Sequence, residues 1–426
     1  MNKGFIDATT QKAFLSKING CQDHNLILRE VLNHSRAHKK TVHVTWFDLE
    51  DAFGSISHDY IPIALRRMHL PEEIIFYITS LYGKLRGKVK TAEWISDEFS
   101  FNKGVFQGDP LSPLIFLICF NPIIEKMKGM ENQYGYNLNG ERFITLPFAD
   151  DFNLITTDKR RHQNIIDQLH QLTSSMRLRL KPSKCKSISI KSAKSANVSF
   201  RLGDDVLGSL FDETYHKFLG AYYTFDNAGS EVAALIRDKF RVGLENIEKL
   251  LVRNELKVRV YVEYFLSSNR FILSVHDLTT TQLKEIDAMT HRYLKKWLGI
   301  PRCGSWNLAH DRHGLNIKSI SHLYKESRAL SLSDARIFSD DRVKHALDSK
   351  EARESNWSRK FSSAVYTRDL ISDLIPPPTS PTLPPDAPLI PPSSFPSPSS
   401  FPCPSSSHLL TTSHPAPTFA TLSSTT

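Results

Sequence analysis

Cysteine is scarce in this sequence, and what there is stands unpaired. Cys21, Cys119, Cys185, Cys303 and Cys403 are scattered singly, with no Cys-x-x-Cys among them. An odd, unspaced set argues against a disulfide framework and a cysteine-rich zinc site, and points to a reducing compartment. His310 and His313 lie near Cys303, but no second cysteine completes a metal knuckle. Long apolar runs are missing as well. None reaches the roughly 20 residues that a membrane span needs. The N-terminus carries no apolar leader, so an intracellular, non-secreted protein is expected. Proline is sparse until late in the chain: 15 of the 23 fall between Pro376 and Thr426, where Asp386 is the one charged residue. Pro, Ser and Thr at that density cannot bury enough apolar area to offset chain entropy, so 376–426 is expected to be a disordered tail. A proline-rich ligand segment and a reading frame running past its proper end both fit it.

What is present is ordinary globular protein with a basic excess. The 426 residues give room for two or three units with real cores. Hydrophobic content of 40% and charged content of 23% are usual for soluble domains. The net charge of +9 is less usual. Excess Lys and Arg marks a polyanion partner, because neutralising phosphates releases counterions; a merely basic surface gives the same balance.

The hydrophobic pattern mixes two periods. Thr41 to Leu49 reads as a buried strand, with Val42, Val44 and Trp46 alternating on one face. Ser112-Pro113 predicts a helix start, Ser as cap and Pro in the first turn, continued by the apolar run from Leu114 to Ile124. Ile165, Ile166, Leu169, Leu172 and Met176 fall at helical spacing, and Ile188 and Ile190 alternate as in a strand. From Glu231 to about Trp297 the pattern is helical and amphipathic. The fold class expected is α+β, followed by a helical domain.

Two stretches place acids beside buried strands, where a free carboxylate is costly to desolvate. One runs Trp46-Phe47-Asp48-Leu49-Glu50-Asp51-Ala52-Phe53. The other runs from Leu146 to Ile155 and carries Asp150-Asp151 between apolar residues, as in a tight hairpin turn. A cation offsets such charge, and phosphoryl transfer by two metal ions needs a cluster of hard oxygen ligands. Acid pairs that only cap turns are the commoner case. Gly203-Asp204-Asp205 reads that way, as an ordinary hairpin turn.

At these residues the chain resembles the reverse transcriptases of non-LTR retrotransposons. Phe148-Ala149-Asp150-Asp151 is similar to their hairpin motif, and Asp48 to Phe53 to their first catalytic-strand motif. Gly104-Val105-Phe106-Gln107-Gly108-Asp109-Pro110-Leu111-Ser112-Pro113 lies between the two and is the most specific string. Leu180 to Lys186 and Phe218-Leu219-Gly220 follow in family order. Gln11-Lys12-Ala13-Phe14 and Asn19-Gly20-Cys21 resemble the fingers segment upstream.

The resemblance implies a right-hand polymerase: partial fingers and a palm with antiparallel sheet over 1–225, a helical thumb over 226–330, then an extension over 331–375. It implies RNA-directed DNA synthesis from dNTPs on an RNA template and DNA primer. Two Mg2+ ions, with Mn2+ as substitute, would be held by Asp48, the Leu49 carbonyl, Asp150 and Asp151, with Lys184 as general acid. Phe53 would be a steric gate against the 2′-hydroxyl, while Gln107 and Gly108 would let template and nucleotide approach. Phe218, Leu219 and Gly220 would form the primer grip. Lys84, Arg86, Lys88 and Lys90 alternate along Tyr82 to Lys90, as a strand tracking phosphates or as a charged edge strand. The chain also departs from the pattern. It begins inside the fingers, no endonuclease or zinc module is found, and Gly54 stands where many relatives carry Asp. A non-catalytic nucleic-acid-binding remnant and a group II intron maturase are the alternative readings.

Overall fold

The computed structural model describes residues 6–348, apart from 8, 15–18, 212–213, 226–228, 302, 306, 311–314 and 339–340. The tail at 376–426, most of the 331–375 extension and His313 fall wholly or partly outside the described residues. All described residues belong to one compact unit, Met1–Ile375.

In chain order the first half runs α1 (Gly20–Ala37), β1 (Val42–Phe47), α2 (Ala52–Ser55), α3 (Ile61–Arg67), α4 (Glu72–Gly83), β2 (Arg86–Gly87), β3 (Phe99–Ser100) and α5 (Ser112–Tyr134). Then come β4 (Tyr136–Leu138), β5 (Glu141–Phe143), β6 (Phe152–Thr156), α6 (Lys159–Ser175), β7 (Lys186–Lys191), β8 (Lys194–Ser195), β9 (Arg201–Leu202), β10 (Asp205–Val206), β11 (Gly208–Ser209), β12 (His216–Phe218) and β13 (Ala221–Tyr223). The rest is helical: α7 (Gly229–Glu248), α8 (Asn254–Val260), a π turn at Tyr261–Phe265, α9 (Leu266–Val275), α10 (Thr280–Leu298), α11 (Asn307–His310), α12 (Ile320–Phe338) and α13 (Asp341–Asp348).

The main sheet is ordered β11-β7-β1-β6, with β8 added on β7. β1 is central and antiparallel to both neighbours, Phe47 opposite Phe152 and Trp46 opposite Lys186. The expected strand over Thr41 to Leu49 is shorter at its end, because the chain leaves the sheet after Phe47. All six residues of β1 are buried. Val42, Val44 and Trp46 pack with Leu26, Ile27 and Val31 of α1. Phe47 faces the other way, with Phe116 and Phe120 of α5 and Ile165 and Leu169 of α6.

That second face also carries polar residues, most of whose groups are bonded in place, although His43 Nε2 is buried without a partner. His43 Nδ1 meets Ser189 Oγ at 2.7 Å, and Thr45 Oγ1 meets His162 Nε2 at 2.7 Å. Buried polar atoms without such partners would cost a few kcal/mol each, about 1–3.

The helical second half has its own core, in which Ile236, Phe240 and Leu244 of α7 meet Leu283, Ile286 and Trp297 of α10. The ends of α10 follow from local chemistry. Thr279 and Gln282 form a reciprocal cap, and Gly299 closes the helix at φ 68°.

Two expectations need correction. Tyr82 to Lys90 is not one strand: α4 continues to Gly83, Lys84 caps it, Arg86–Gly87 pairs with Phe99–Ser100, and Lys90 makes an isolated bridge to Ile95. Ser112 is not the cap of α5 but lies in its first turn. Asp109 does the capping, its Oδ1 accepting from Leu111 N–H at 3.0 Å and its carbonyl from Ser112 N–H at 3.2 Å.

Candidate active site

The end of β1 delivers Asp48, and the hairpin leading into β6 delivers Asp150 and Asp151. Phe148 and Asp151 exchange both main-chain bonds, at 2.8 and 3.1 Å, so Ala149 and Asp150 form a two-residue turn. Ala149 sits there at φ 55°, a region that glycine normally fills. Continuing the β1–β6 register by one step brings Asp48 opposite Asp151.

These acids are held against their own charge. Burial raises the pKa of Asp150 and the charge of Asp48 adds to it. Asp151 is pushed up to about 6, by burial first and then by the charges of Asp150 and Asp48. Its side chain keeps solvent access, so of the two causes the repulsion is the part that a cation would reverse. Asp48 Oδ2 is buried without a hydrogen-bond partner, and Lys184 Nζ stands 3.5 Å from it. Among the described residues no three His, Cys, Asp or Glu side chains already converge on one point. The carboxylates sense one another without closing into a cage.

Main-chain bonds bring the other motifs to Asp48. Lys181 N–H donates to the Asp48 carbonyl at 2.9 Å, and Glu50 N–H donates to the Arg179 carbonyl at 2.8 Å. This pairs Leu49 with Leu180. In such a pair the N–H and C=O of Leu49 point away from Leu180, toward the side of β1 on which the Asp150-Asp151 hairpin lies. On the far side of Asp48, Val105 N–H donates to the Phe53 carbonyl at 2.8 Å and Gly104 N–H to the Ile56 carbonyl at 2.7 Å. Gly104, at φ 93°, backs onto Gly54, where a Cβ would stand 3.2 Å from the Gly54 Cα. Phe53 is half-buried and stacked on Phe116, centroids 4.7 Å apart at 8°.

The remaining sequence-predicted positions divide. Gln107 and Gly108 are exposed on the loop before α5. Gly108 stands at φ 98°, and a Cβ there would meet no protein atom within 4 Å. Phe218 is a core residue, and Leu219 (φ 43°) and Gly220 (φ 80°) form the turn between β12 and β13. That hairpin packs on α9, where a Cβ on Gly220 would come within 2.8 Å of Phe271. Arg86 is turned back onto the carbonyls of Gly83 and Leu85, and Lys88 faces Glu98 at 3.9 Å. Gly203 and Asp204 form a separate hairpin turn between β9 and β10, with Gly203 at φ 61° and Asp205 already paired in β10.

Residues 5–222 match the family model described as reverse transcriptase (RNA-dependent DNA polymerase), just over half of the chain. The chain belongs to this family. It is 25% identical over 297 residues to a Retrovirus-related Pol polyprotein from type-2 retrotransposable element R2DM of Drosophila melanogaster, covering 68% of this chain and 27% of that one. It is 23% identical over 391 residues to the corresponding polyprotein of a type-1 R2 element of Nasonia vitripennis, covering 86% and 37%. This reverse transcriptase therefore spans well under half the length of either relative, and both support the resemblance to non-LTR retrotransposon proteins. Telomerase from Candida tropicalis superposes over 83% of this chain and 51% of its own, at 15% identity and a TM-score of 0.36. That is too loose a fit to add anything.

One participant was invisible in the sequence of this reverse transcriptase. Gln11, quoted only as part of a resembling segment, reaches the Ala149 main chain at the tip of the hairpin. No local spacing signals such a contact.

Proposed function

We propose that this chain is the polymerase core of a retrotransposon protein, extending a DNA primer on an RNA template with dNTPs. One observation carries the reading: Gly104 and Val105, which lead into the QGDPLSP loop, and Lys181 of the KPSKCK turn are bonded, main chain to main chain, to the segment from Asp48 to Ile56. Motifs far apart in sequence thus meet around three carboxylates. Residues 1–225 would be fingers and palm, and 226–330 the thumb, with the β12–β13 hairpin at their junction serving as primer grip.

The residues present fit divalent cations. The buried oxygen of Asp48, which has no hydrogen bond and only the Lys184 charge beside it, and the mutual repulsion of Asp150 and Asp151 suit hard oxygen ligands for a cation. Asp48, Asp150, Asp151 and the Leu49 carbonyl would hold two Mg2+ or Mn2+ ions. Such ions supply charge stabilisation at the attacking and leaving oxygens of an in-line displacement.

The chain's own groups do the rest. Lys184, beside Asp48 and half exposed, would give a proton to the departing pyrophosphate. Phe53, fixed by its stack on Phe116, would lie where a ribose 2′-hydroxyl collides. Gln107 and Gly108 would face the template and nucleotide across open space, and Lys84, Arg86, Lys88 and Lys90 would neutralise template phosphates. Such work on nucleic acid would take place inside the cell. Among the described residues no helix is long and apolar enough to cross a membrane.

Incorporation of labelled dTTP on poly(rA)/oligo(dT) with Mg2+ tests the reading. Incorporation should vanish in the Asp150→Ala/Asp151→Ala double variant. A wild-type rate no higher than that of the double variant would leave salt-sensitive nucleic-acid binding without catalysis as the function of this chain.

A further inference from the structure

Both main-chain groups of Ala149 are held by a single side chain. In a two-residue hairpin the first turn residue finds no partner inside the hairpin, and a buried N–H or C=O without one is unfavourable. Gln11 supplies both partners. Its Oε1 accepts from the Ala149 N–H at 2.9 Å, and its Nε2 donates to the Ala149 carbonyl at 3.2 Å. The Ala13 N–H donates to the same Oε1 at 3.2 Å. Exchanging amide oxygen and nitrogen would set donor against donor at two of these contacts, so the orientation is fixed. Gln11 is 3% exposed, so bulk water does not reach these groups while it is in place.

The peptide so held needs holding. Ala149 lies in the left-handed region, disfavoured for any residue with a Cβ, and Asp150 follows it directly. The segment carrying Gln11 is itself anchored against the hairpin. Lys12 pairs with Asp23 at 2.7 Å, both side chains almost fully buried. A Cβ on Gly20 would stand 2.6 Å from the Lys12 Cβ and 3.1 Å from Phe148 Cε2, so glycine there lets α1 close on both. His24 Nε2 meets the Pro147 carbonyl at 2.8 Å.

We propose that Gln11 is a positioning residue: it locks the tip of the Asp150-Asp151 hairpin in the conformation that presents both carboxylates to divalent cations. This rests on the catalytic reading of those acids given above. The test uses the full chain and two readouts, Mn2+ affinity by electron paramagnetic resonance titration and the kinetics of dTTP incorporation. Gln11→Ala is expected to weaken Mn2+ binding and lower kcat by at least about tenfold, leaving the KM for dTTP and the Kd for an RNA–DNA hybrid within about twofold. Gln11→Glu keeps the acceptor for the Ala149 N–H and loses the donor, so it should fall between. Adding Ala149→Gly, which adopts φ 55° without steric objection, should return several-fold of the loss in the Gln11→Ala chain.

Unchanged Mn2+ affinity and kcat in Gln11→Ala would overturn the proposal. So would a loss shared equally by hybrid binding and not relieved by Ala149→Gly. Should Gln11→Ala fail to fold, Gln11→Glu carries the same comparison. A wild-type chain that binds Mn2+ but incorporates no dTTP would count against the polymerase reading alone, because the titration still reports the hairpin.

Discussion

Lys184 Nζ lies 3.5 Å from the buried Oδ2 of Asp48, and the turn that carries Lys184 is bonded to the Asp48 carbonyl through Lys181. The two residues are therefore fixed relative to each other by backbone, while the lysine side chain, 59% exposed, can swing away from the aspartate. A cation with that freedom suits a group that pairs with Asp48 at rest and with a leaving phosphate during reaction. Lys184→Ala should slow single-turnover incorporation by about 10²-fold or more, the usual weight of a general acid, with hybrid affinity unchanged. Lys184→Arg keeps the charge beside Asp48 but holds its proton far above neutral pH, so it should not restore the rate. Full recovery with arginine would reduce Lys184 to a partner of Asp48.

Asp151 gives a prediction about stability whose sign is the opposite of the usual carboxylate case. Its folded pKa is raised to about 6, against about 4 in an unfolded chain. The folded state thus binds this proton more tightly. Its contribution favours folding at low pH and is lost as pH rises from about 4 through 6. Without divalent cations the Tm contribution of this group should fall between about pH 4 and 6. Asp151→Asn should flatten that slope and raise the Tm at pH 7 by about 1–3 °C, although incorporation should be lost. Mg2+ should raise the wild-type Tm and leave the variant's nearly unmoved. A variant less stable than wild type at pH 7 would show that Asp151 is stabilising as a charge.

How far the sequence could be read depends on how local each determinant is. Asp48, Asp150-Asp151 and the QGDPLSP string lie in contiguous motifs, and the strands and helices around them follow from period and capping. The alternation of Val42, Val44 and Trp46 marks one apolar face of β1. It does not show that the opposite face is also covered, because His43 and Thr45 are buried on partners in β7 and α6. The contact of Gln11 with Ala149 spans 138 residues and obeys no period at all. Asn25 plays a similar part elsewhere, its Nδ2 donating to the carbonyl of Leu219, another residue at positive φ, at 3.1 Å. The N-terminal segment thus steadies two strained turns that nothing in its own composition announces.

The row Lys84, Arg86, Lys88 and Lys90 reads as one phosphate-tracking edge only while Tyr82 to Lys90 is taken as a strand. In the folded chain Arg86 is turned onto neighbouring carbonyls and Lys88 faces Glu98. Lys84 and Lys90 have no ion pair among the described residues. Replacing Lys84 and Lys90 together by Gln should flatten the salt dependence of hybrid binding by about 0.7–0.9 for each phosphate that is no longer neutralised. Replacing Arg86 and Lys88 should change it less. Equal slopes for the two pairs, measured by fluorescence anisotropy across a salt series, would show that the row acts as a unit after all.

Phe53 carries two roles that one substitution series can separate. Its ring is stacked on Phe116 at 4.7 Å and is only half-buried, so one face packs the core while part of the ring stays open to solvent. Packing alone predicts a stability cost of about 1–3 kcal/mol for Phe53→Val, below that of a fully buried ring, and no change in which nucleotide is used. Steric exclusion predicts in addition that rUTP incorporation rises against dTTP by about 10–100-fold, the range that a modest change of pocket shape commands. Phe53→Leu keeps more bulk and should lie between the two. Measuring both ratios on the same Mg2+-dependent assay, alongside the Tm of each variant, decides the matter. A series in which stability falls and the rUTP-to-dTTP ratio stays flat would make Phe53 a core residue only. A ratio that climbs as the side chain shrinks, out of step with Tm, would make its exposed edge the surface that selects the sugar.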